Sequence, residues 1–144
     1  MGKVTDDIEV IGRSAADLAN STNATTAYTD VTGAAVAVDA ATEDPTQVSS
    51  YGMIRATFSA IVSKATAGNA ILGLNINGAV VADTETTVAS TQGAQRVSGS
   101  FLIARSSLAA QTVKLQVKSS DANVATVTDA YLDVERYRVP GGVN

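Results

Sequence analysis

The sequence predicts an all-β domain, an antiparallel β-sandwich, on three observations. Apolar residues recur at every second position along several segments, turn-forming residues separate those segments at regular intervals, and helical periodicity is nearly missing. The 144 residues suffice for one core and one domain. The 45% hydrophobic content comes mostly from Ala and Val, with 2 Phe, 4 Tyr and no Trp. Small and β-branched side chains suit sheets that meet closely, rather than a pocket lined with large groups.

Residues 1–24 hold one apolar cluster, Ile8, Val10 and Ile11, between acidic residues and a polar tract of Ser, Asn and Thr. That is too little apolar surface to fold alone and enough to add a strand to something else. The segment is therefore expected to be an N-terminal arm that binds a partner through Ile8, Val10 and Ile11, or else a strand or frayed end of its own domain. A short helical turn over 15–19, capped by Ser14, is a further expectation. Segments 25–31 and 34–38 read as two short strands linked by Thr32-Gly33, and 39–50, with Asp39, Glu43, Asp44 and Pro45, reads as a surface loop.

From residue 53 onward the pattern is clearer. Ile54, Ala56, Phe58, Ala60 and Val62 face one way, with Arg55, Thr57, Ser59 and Ser63 facing the other, which predicts a long half-buried strand. After the 65–69 link, Leu72, Leu74 and Ile76 share a face, and Asn77-Gly78 follows at once. Asn-Gly between apolar runs predicts a tight hairpin, because both residues tolerate positive φ. Val97, Gly99, Phe101 and Ile103 alternate with Arg96, Ser98, Ser100 and Leu102, and Val113, Leu115 and Val117 alternate with Thr112, Lys114, Gln116 and Lys118. The 124–139 segment is read with Val124, Thr126, Thr128, Ala130, Leu132 and Val134 in one register, as one long strand or two joined by a bulge, ended by Pro140-Gly141-Gly142.

Seven to nine such strands without βαβ alternation predict a sandwich, with jelly-roll topology ahead of an immunoglobulin-like one, whose Cys and Trp landmarks are absent. The expected organisation is an arm at 1–24, a single jelly-roll-type β-sandwich at 25–140 and a tail at 141–144.

Missing residue types narrow the chemistry. Without Cys or His there is no thiolate nucleophile, no Ser-His-Asp triad and no ordinary zinc site, which leaves a carboxylate pair, a Lys or an oxygen-ligand site for calcium or magnesium; no enzyme and no cofactor are expected. A formal net charge of −4, with the ten basic residues scattered, argues against a nucleic-acid surface. No apolar run approaches the length of a membrane span and no secretory leader is recognised, so export would need lysis or a dedicated route.

Each remaining motif has two readings. Asp6-Asp7 with Glu9, and Glu43-Asp44, are oxygen-rich enough for calcium but lack the alternating ligands of an EF-hand, which favours solvated surface. Asp129, Asp133 and Glu135 lie on one strand, whereas a glycosidase pair faces across a cleft. They read instead as solvent-facing carboxylates beside Lys114, Lys118, Arg136 and Arg138. Asn20-Ser21-Thr22 and Asn23-Ala24-Thr25 fit the glycosylation pattern, and Tyr51, Tyr131 and Tyr137 are candidates for a stacking platform or for packing across a sheet.

The run Tyr28-Thr29-Asp30-Val31-Thr32-Gly33, the strand Arg55-Ala56-Thr57-Phe58-Ser59-Ala60, the Leu74-Asn75-Ile76-Asn77-Gly78-Ala79-Val80-Val81-Ala82 hairpin, Gln111-Thr112-Val113-Lys114-Leu115-Gln116-Val117 and Ala130-Tyr131-Leu132-Asp133-Val134 together resemble small jelly-roll domains of tailed-bacteriophage virion proteins. These include capsid decoration (cement) proteins and tail modules, some similar in shape to the tumour-necrosis-factor and C1q family. The resemblance covers about residues 25–138, rests on strand texture and assigns no functional residue. It implies a homo-oligomer, often a trimer, seated on a major capsid protein or another virion protein after assembly in the host cytoplasm. Two other readings fit the sequence: a carbohydrate- or receptor-binding module of a tail or fibre, and a strand-donating filament subunit.

Overall fold

The computed structural model describes residues 8–16, 21–38, 53–76, 78–104 and 110–137. Among these are ten strands: β1 (Ile8–Ala16), β2 (Ser21–Asn23), β3 (Thr29–Val38), β4 (Met53–Lys64), β5 (Asn69–Ile76), β6 (Ala79–Val80), β7 (Thr86–Ala89), β8 (Gln95–Ala104), β9 (Gln111–Ser119) and β10 (Ala125–Tyr137). They form two five-stranded antiparallel sheets. One runs β1-β10-β4-β8, with β2 also on β10; the other runs β3-β9-β5-β6, with β7 also on β5.

Eight strands carry the topology once β2 is taken as the continuation of β1 along β10, and β6 as the short return of the β5 hairpin. Ranked in chain order, the eight then lie 1-8-3-6 in the first sheet and 2-7-4-5 in the second. The chain crosses between sheets at nearly every connection, which is the double Greek key of a jelly roll.

The core lies between the sheets. Ile54, Ala56, Phe58, Ala60 and Val62 of β4 are buried, as their alternation predicts, and so are Leu72, Leu74 and Ile76 of β5 and Val113, Leu115 and Val117 of β9. The expected hairpin forms, with Ile76 paired to Ala79, and Gly78 has the positive φ (90°) that such a turn requires; Asn77 lies outside the described residues.

Two segments depart from the sequence reading, for one reason. Buried positions in β3 change parity from Val31 to Ala34, and in β10 from Ala125 and Val127 to Ala130, Leu132 and Val134. A strand keeps one face inward across such a change only by taking up an extra residue. In β3 the break falls at Gly33 (φ 81°), so the two expected strands are one bulged strand. In β10 it falls at Asp129 (φ 52°), between the Thr128 and Tyr131 pairings with β4. The single register expected from Val124 to Val134 thus holds from Ala130 onward and fails before it, leaving Val124 exposed.

The described part of 1–24 is hydrogen-bonded into the first sheet. β1 runs antiparallel to β10 with Ile8 opposite Tyr137 and Ala16 opposite Ala130, and β2 continues with Ser21 opposite Val127. Ala15 and Ala16 are strand residues, so the helical turn expected to begin there does not form; 17–19 lie outside the described residues. The 39–50 loop and the 141–144 tail also lie outside them.

Candidate interaction surfaces

Ile8, Val10 and Ile11 sit on β1, the strand that flanks β10. Ile8 is opposite Tyr137 and Val10 opposite Glu135, and the register slips between Val10 and Gly12, so Ile11 occupies a bulge. Glu9 stands opposite Arg136, while Asp6, Asp7, Glu43, Asp44 and Tyr51 lie outside the described residues.

The outer face of the first sheet is polar and internally bonded. Arg96 of β8 reaches across β4 to the Asp129 carboxylate and donates through Nη1 to Ser59 Oγ at 2.9 Å. Tyr131 donates its hydroxyl to the other Asp129 oxygen at 2.9 Å, and the Thr57 and Ser100 hydroxyls share a hydrogen bond of the same length. Asp129 is thus tied into a cross-strand network at a bulge whose left-handed backbone an Asp tolerates better than most residues. Lys114 and Lys118, expected beside these carboxylates, belong to β9 in the other sheet.

There they form a second network. Asp30 Oδ1 accepts from Gln116 Nε2 at 2.7 Å, Asp30 Oδ2 from Lys114 Nζ at 3.3 Å, and Asn75 Nδ2 donates to Gln116 Oε1 at 2.9 Å. Nearby, Tyr28 donates its hydroxyl to Glu85, and Lys118 lies 4.5 Å above the Tyr28 ring and 3.5 Å from Glu85. Burial and the bond to Glu85 push the Tyr28 hydroxyl well above the usual tyrosine range, and the same bond holds Glu85 below the usual carboxylate range. Both Phe rings are committed inward, Phe58 stacked on Phe101 with centroids 6.2 Å apart. A Cβ on Gly99 would come within 2.7 Å of the Phe101 ring, so this strand position stays bare to seat the stack.

Asn23 is buried: its amide donates to Ala27 O at 2.6 Å and Val117 O at 2.8 Å, and its Oδ1 accepts from the Thr25 backbone and hydroxyl. The second glycosylation triplet is therefore a fold element with its acceptor nitrogen occupied.

Pattern reading passed over one site. Lys64 continues the inward row of β4, and its wholly buried side chain donates to Ala65 O at 3.1 Å, Ala67 O at 2.8 Å and Asp121 Oδ1 at 2.8 Å. Asp121 also accepts from Asn123 N at 2.8 Å, so one lysine joins the β4–β5 turn to the β9–β10 turn. The signal was the even parity that Lys64 shares with Ile54 to Val62. No group of three or more metal-binding side chains occurs among the described residues.

Fold and surfaces together define a jelly-roll β-sandwich with a filled interior and outer faces knitted by polar cross-strand contacts. No protein-family model and no curated protein matches the sequence. Among solved structures, the chain is similar to the PRD1 vertex protein P5 at 16% identity and a TM-score of 0.46, over 96% of this chain and 99% of that one. It is similar to dimeric latent PorU from Porphyromonas gingivalis at 12% identity and a TM-score of 0.48, over 94% of this chain and 14% of that one. A third similarity is to the infectious bursal disease virus Gx strain structure, at 16% identity and a TM-score of 0.39, over 95% of this chain and 38% of that one. The fold assignment rests on the strand order and not on these likenesses.

Proposed function

We propose that the chain is a non-enzymatic structural protein of a virus particle, a decoration protein that binds the outer face of a capsid lattice and assembles there with copies of itself, as a homotrimer in the simplest arrangement. The observation that carries this reading is the jelly roll with its interior filled. Jelly rolls serve in capsids, lectins and cupins. A cupin works inside its barrel, but here Phe58, Leu72, Leu74, Leu115 and Leu132 occupy that space. A lectin leans on aromatic platforms, whereas Phe58 is buried, Phe101 is stacked against it, and the Tyr28 and Tyr131 hydroxyls are engaged by Glu85 and Asp129. This weighs against the sugar-binding alternative and leaves association through edges and faces.

In this reading β1 is the attachment element, with Ile8, Val10 and Ile11 meeting the partner lattice along the side of the strand that pairs with no described strand, or through exchange of β1 between copies. Contacts that are weak singly gain strength from repetition over a lattice. The test is co-sedimentation of the full chain with its capsid, comparing the natural sequence with Ile8→Asp, since a charge buried at a contact without a partner costs several kcal/mol. The expected result is lost attachment with a retained β-sheet circular dichroism spectrum. Attachment equal to that of the natural chain would remove β1 from the interface.

A further inference from the structure

Edge strands offer unpaired backbone groups, and natural sheets blunt them with bulges, short lengths, prolines or charges. Three edges of this sandwich follow that rule. β1 is bulged at Ile11, β3 loses register between Asp30 and Ala35, and the β6/β7 edge is made of strands of two and four residues. β8 does not. It pairs with β4 without a break from Gln95 opposite Val62 to Ala104 opposite Met53, and among the described residues no strand lies on its other side. Over those ten residues it has no Pro and no Lys, and its one charge, Arg96, is bound to Asp129.

β8 is also incompletely covered. Its inward row of Val97, Phe101 and Ile103 is only partly buried, and Leu102 on the outward row is 53% exposed. The β6/β7 edge of the opposite sheet is shorter, with strands of two and four residues against the ten of β8.

We propose that β8 is a self-pairing interface, completed by β8 of a second copy in antiparallel, two-fold fashion, so that the four-stranded path β1-β10-β4-β8 continues through the partner. This rests on reading the chain as an assembly protein and names a second contact besides β1. The occupant follows from the strand itself. Two-fold pairing about Ser100 keeps each face of the strand on the same side in both copies and sets the uncharged 97–103 stretch against its own copy, with Val97 opposite Ile103 and Gly99 opposite Phe101. It also carries the two Arg96 side chains to opposite ends, on the order of 27 Å apart at 3.4 Å per residue and beyond the Debye length. The added strand covers Val97, Phe101 and Ile103 with the same residues of the copy. A strand pair about 34 Å long is narrow, and buries less than the roughly 1,000 Å² of a stable isolated complex. The contact is therefore weak in dilute solution and becomes strong when many copies are held side by side.

Sedimentation equilibrium of the full chain tests this. The mass of the natural chain is expected to rise toward that of a two-fold pair in the high micromolar range. Ser100→Lys, which sets like charges against each other at the centre, is expected to weaken that rise more than about tenfold, while loss of the exposed bond to Thr57 lowers the melting temperature by no more than a few degrees. Because the chain has no Cys, a second variant reads the geometry directly. Single cysteines at 98, 100 and 102 are expected to form an intermolecular disulfide efficiently only near the two-fold centre, where Cα atoms meet within about 6 Å. This arm stands even if Ser100→Lys fails to fold. Association that is unaltered by Ser100→Lys, cross-linking equal at all three positions, or a natural chain that stays monomeric to about 1 mM would each overturn the β8 interface. So would β8 captured by a strand of a different protein. The Ile8→Asp attachment test reads the assignment as a coat protein separately.

Discussion

Lys64 Nζ lies 2.8 Å from Asp121 Oδ1, and the lysine side chain is wholly shielded from solvent while the aspartate remains one-third open. The bond from Lys64, with those from Asn123 N and Ser119 Oγ, holds the Asp121 carboxyl down at about 2, against an ordinary 3.8. Since folding depresses this pKa, the stabilisation is complete above about pH 4 and is lost as pH falls from there toward 2. Melting temperatures between pH 5 and pH 2 are expected to fall more steeply for the natural chain than for Asp121→Asn, which starts lower. Lys64→Met, which strands the Ala65 and Ala67 carbonyls, is expected to cost about 1–3 kcal/mol at pH 7 by urea denaturation.

Phe58 and Leu115 belong to one core, on opposite sheets, each 1% exposed or less. Truncation of either to Ala is expected to cost about 2–5 kcal/mol, a large share of the stability of a domain this size. The loss for Phe58 includes its stack on Phe101. Urea denaturation of the two variants reads this, and a change below about 1 kcal/mol in both would mean that the inward faces are misassigned.

The bulge at Asp129 predicts an inverted order of substitutions. Gly accepts the left-handed backbone at no steric cost, so Asp129→Gly trades the bonds to Arg96 and Tyr131 for relief of that conformation and is expected to be nearly neutral. Asp129→Val loses the bonds and adds a β-branched residue where φ is positive, and is expected to cost at least about 2 kcal/mol. Thermal melts of the pair decide it. Equal losses would mean that the polar bonds, and not the backbone, set the energetics of the bulge.

How legible each part was depends on whether its physics is local. Alternation marked β4, β5 and β9 because each keeps one parity throughout, and Asn77-Gly78 marked its hairpin because the turn geometry demands those residues. The β3 break was half legible: Thr32-Gly33 was seen as a joint, but a glycine does not say whether it ends a strand or bulges it. A bulge in 124–139 was foreseen as one of two readings, but its place at Asp129 was hidden because Val124, Thr126 and Thr128 mimic a continuing face. Lys64 was masked by its charge, which places lysines outside by default. The pairing of Arg96 with Asp129 and of Lys118 with Glu85 depends on which strands become neighbours, a property of topology that no single strand encodes. The open edge of β8 is likewise visible only once the sheet order is known.

Whether the chain is a coat protein is decided on virus particles. From the culture in which this gene is expressed, virus particles are banded on a density gradient and the chain is quantified by mass spectrometry against the main shell protein across the band. A coat protein held by repeated contacts is expected to stay in fixed proportion to the shell protein through the peak. It should leave the particles when a β1 variant such as Ile8→Asp replaces the natural chain. A chain absent from the peak, or present without a constant ratio to the shell, would mean that it is not a coat protein.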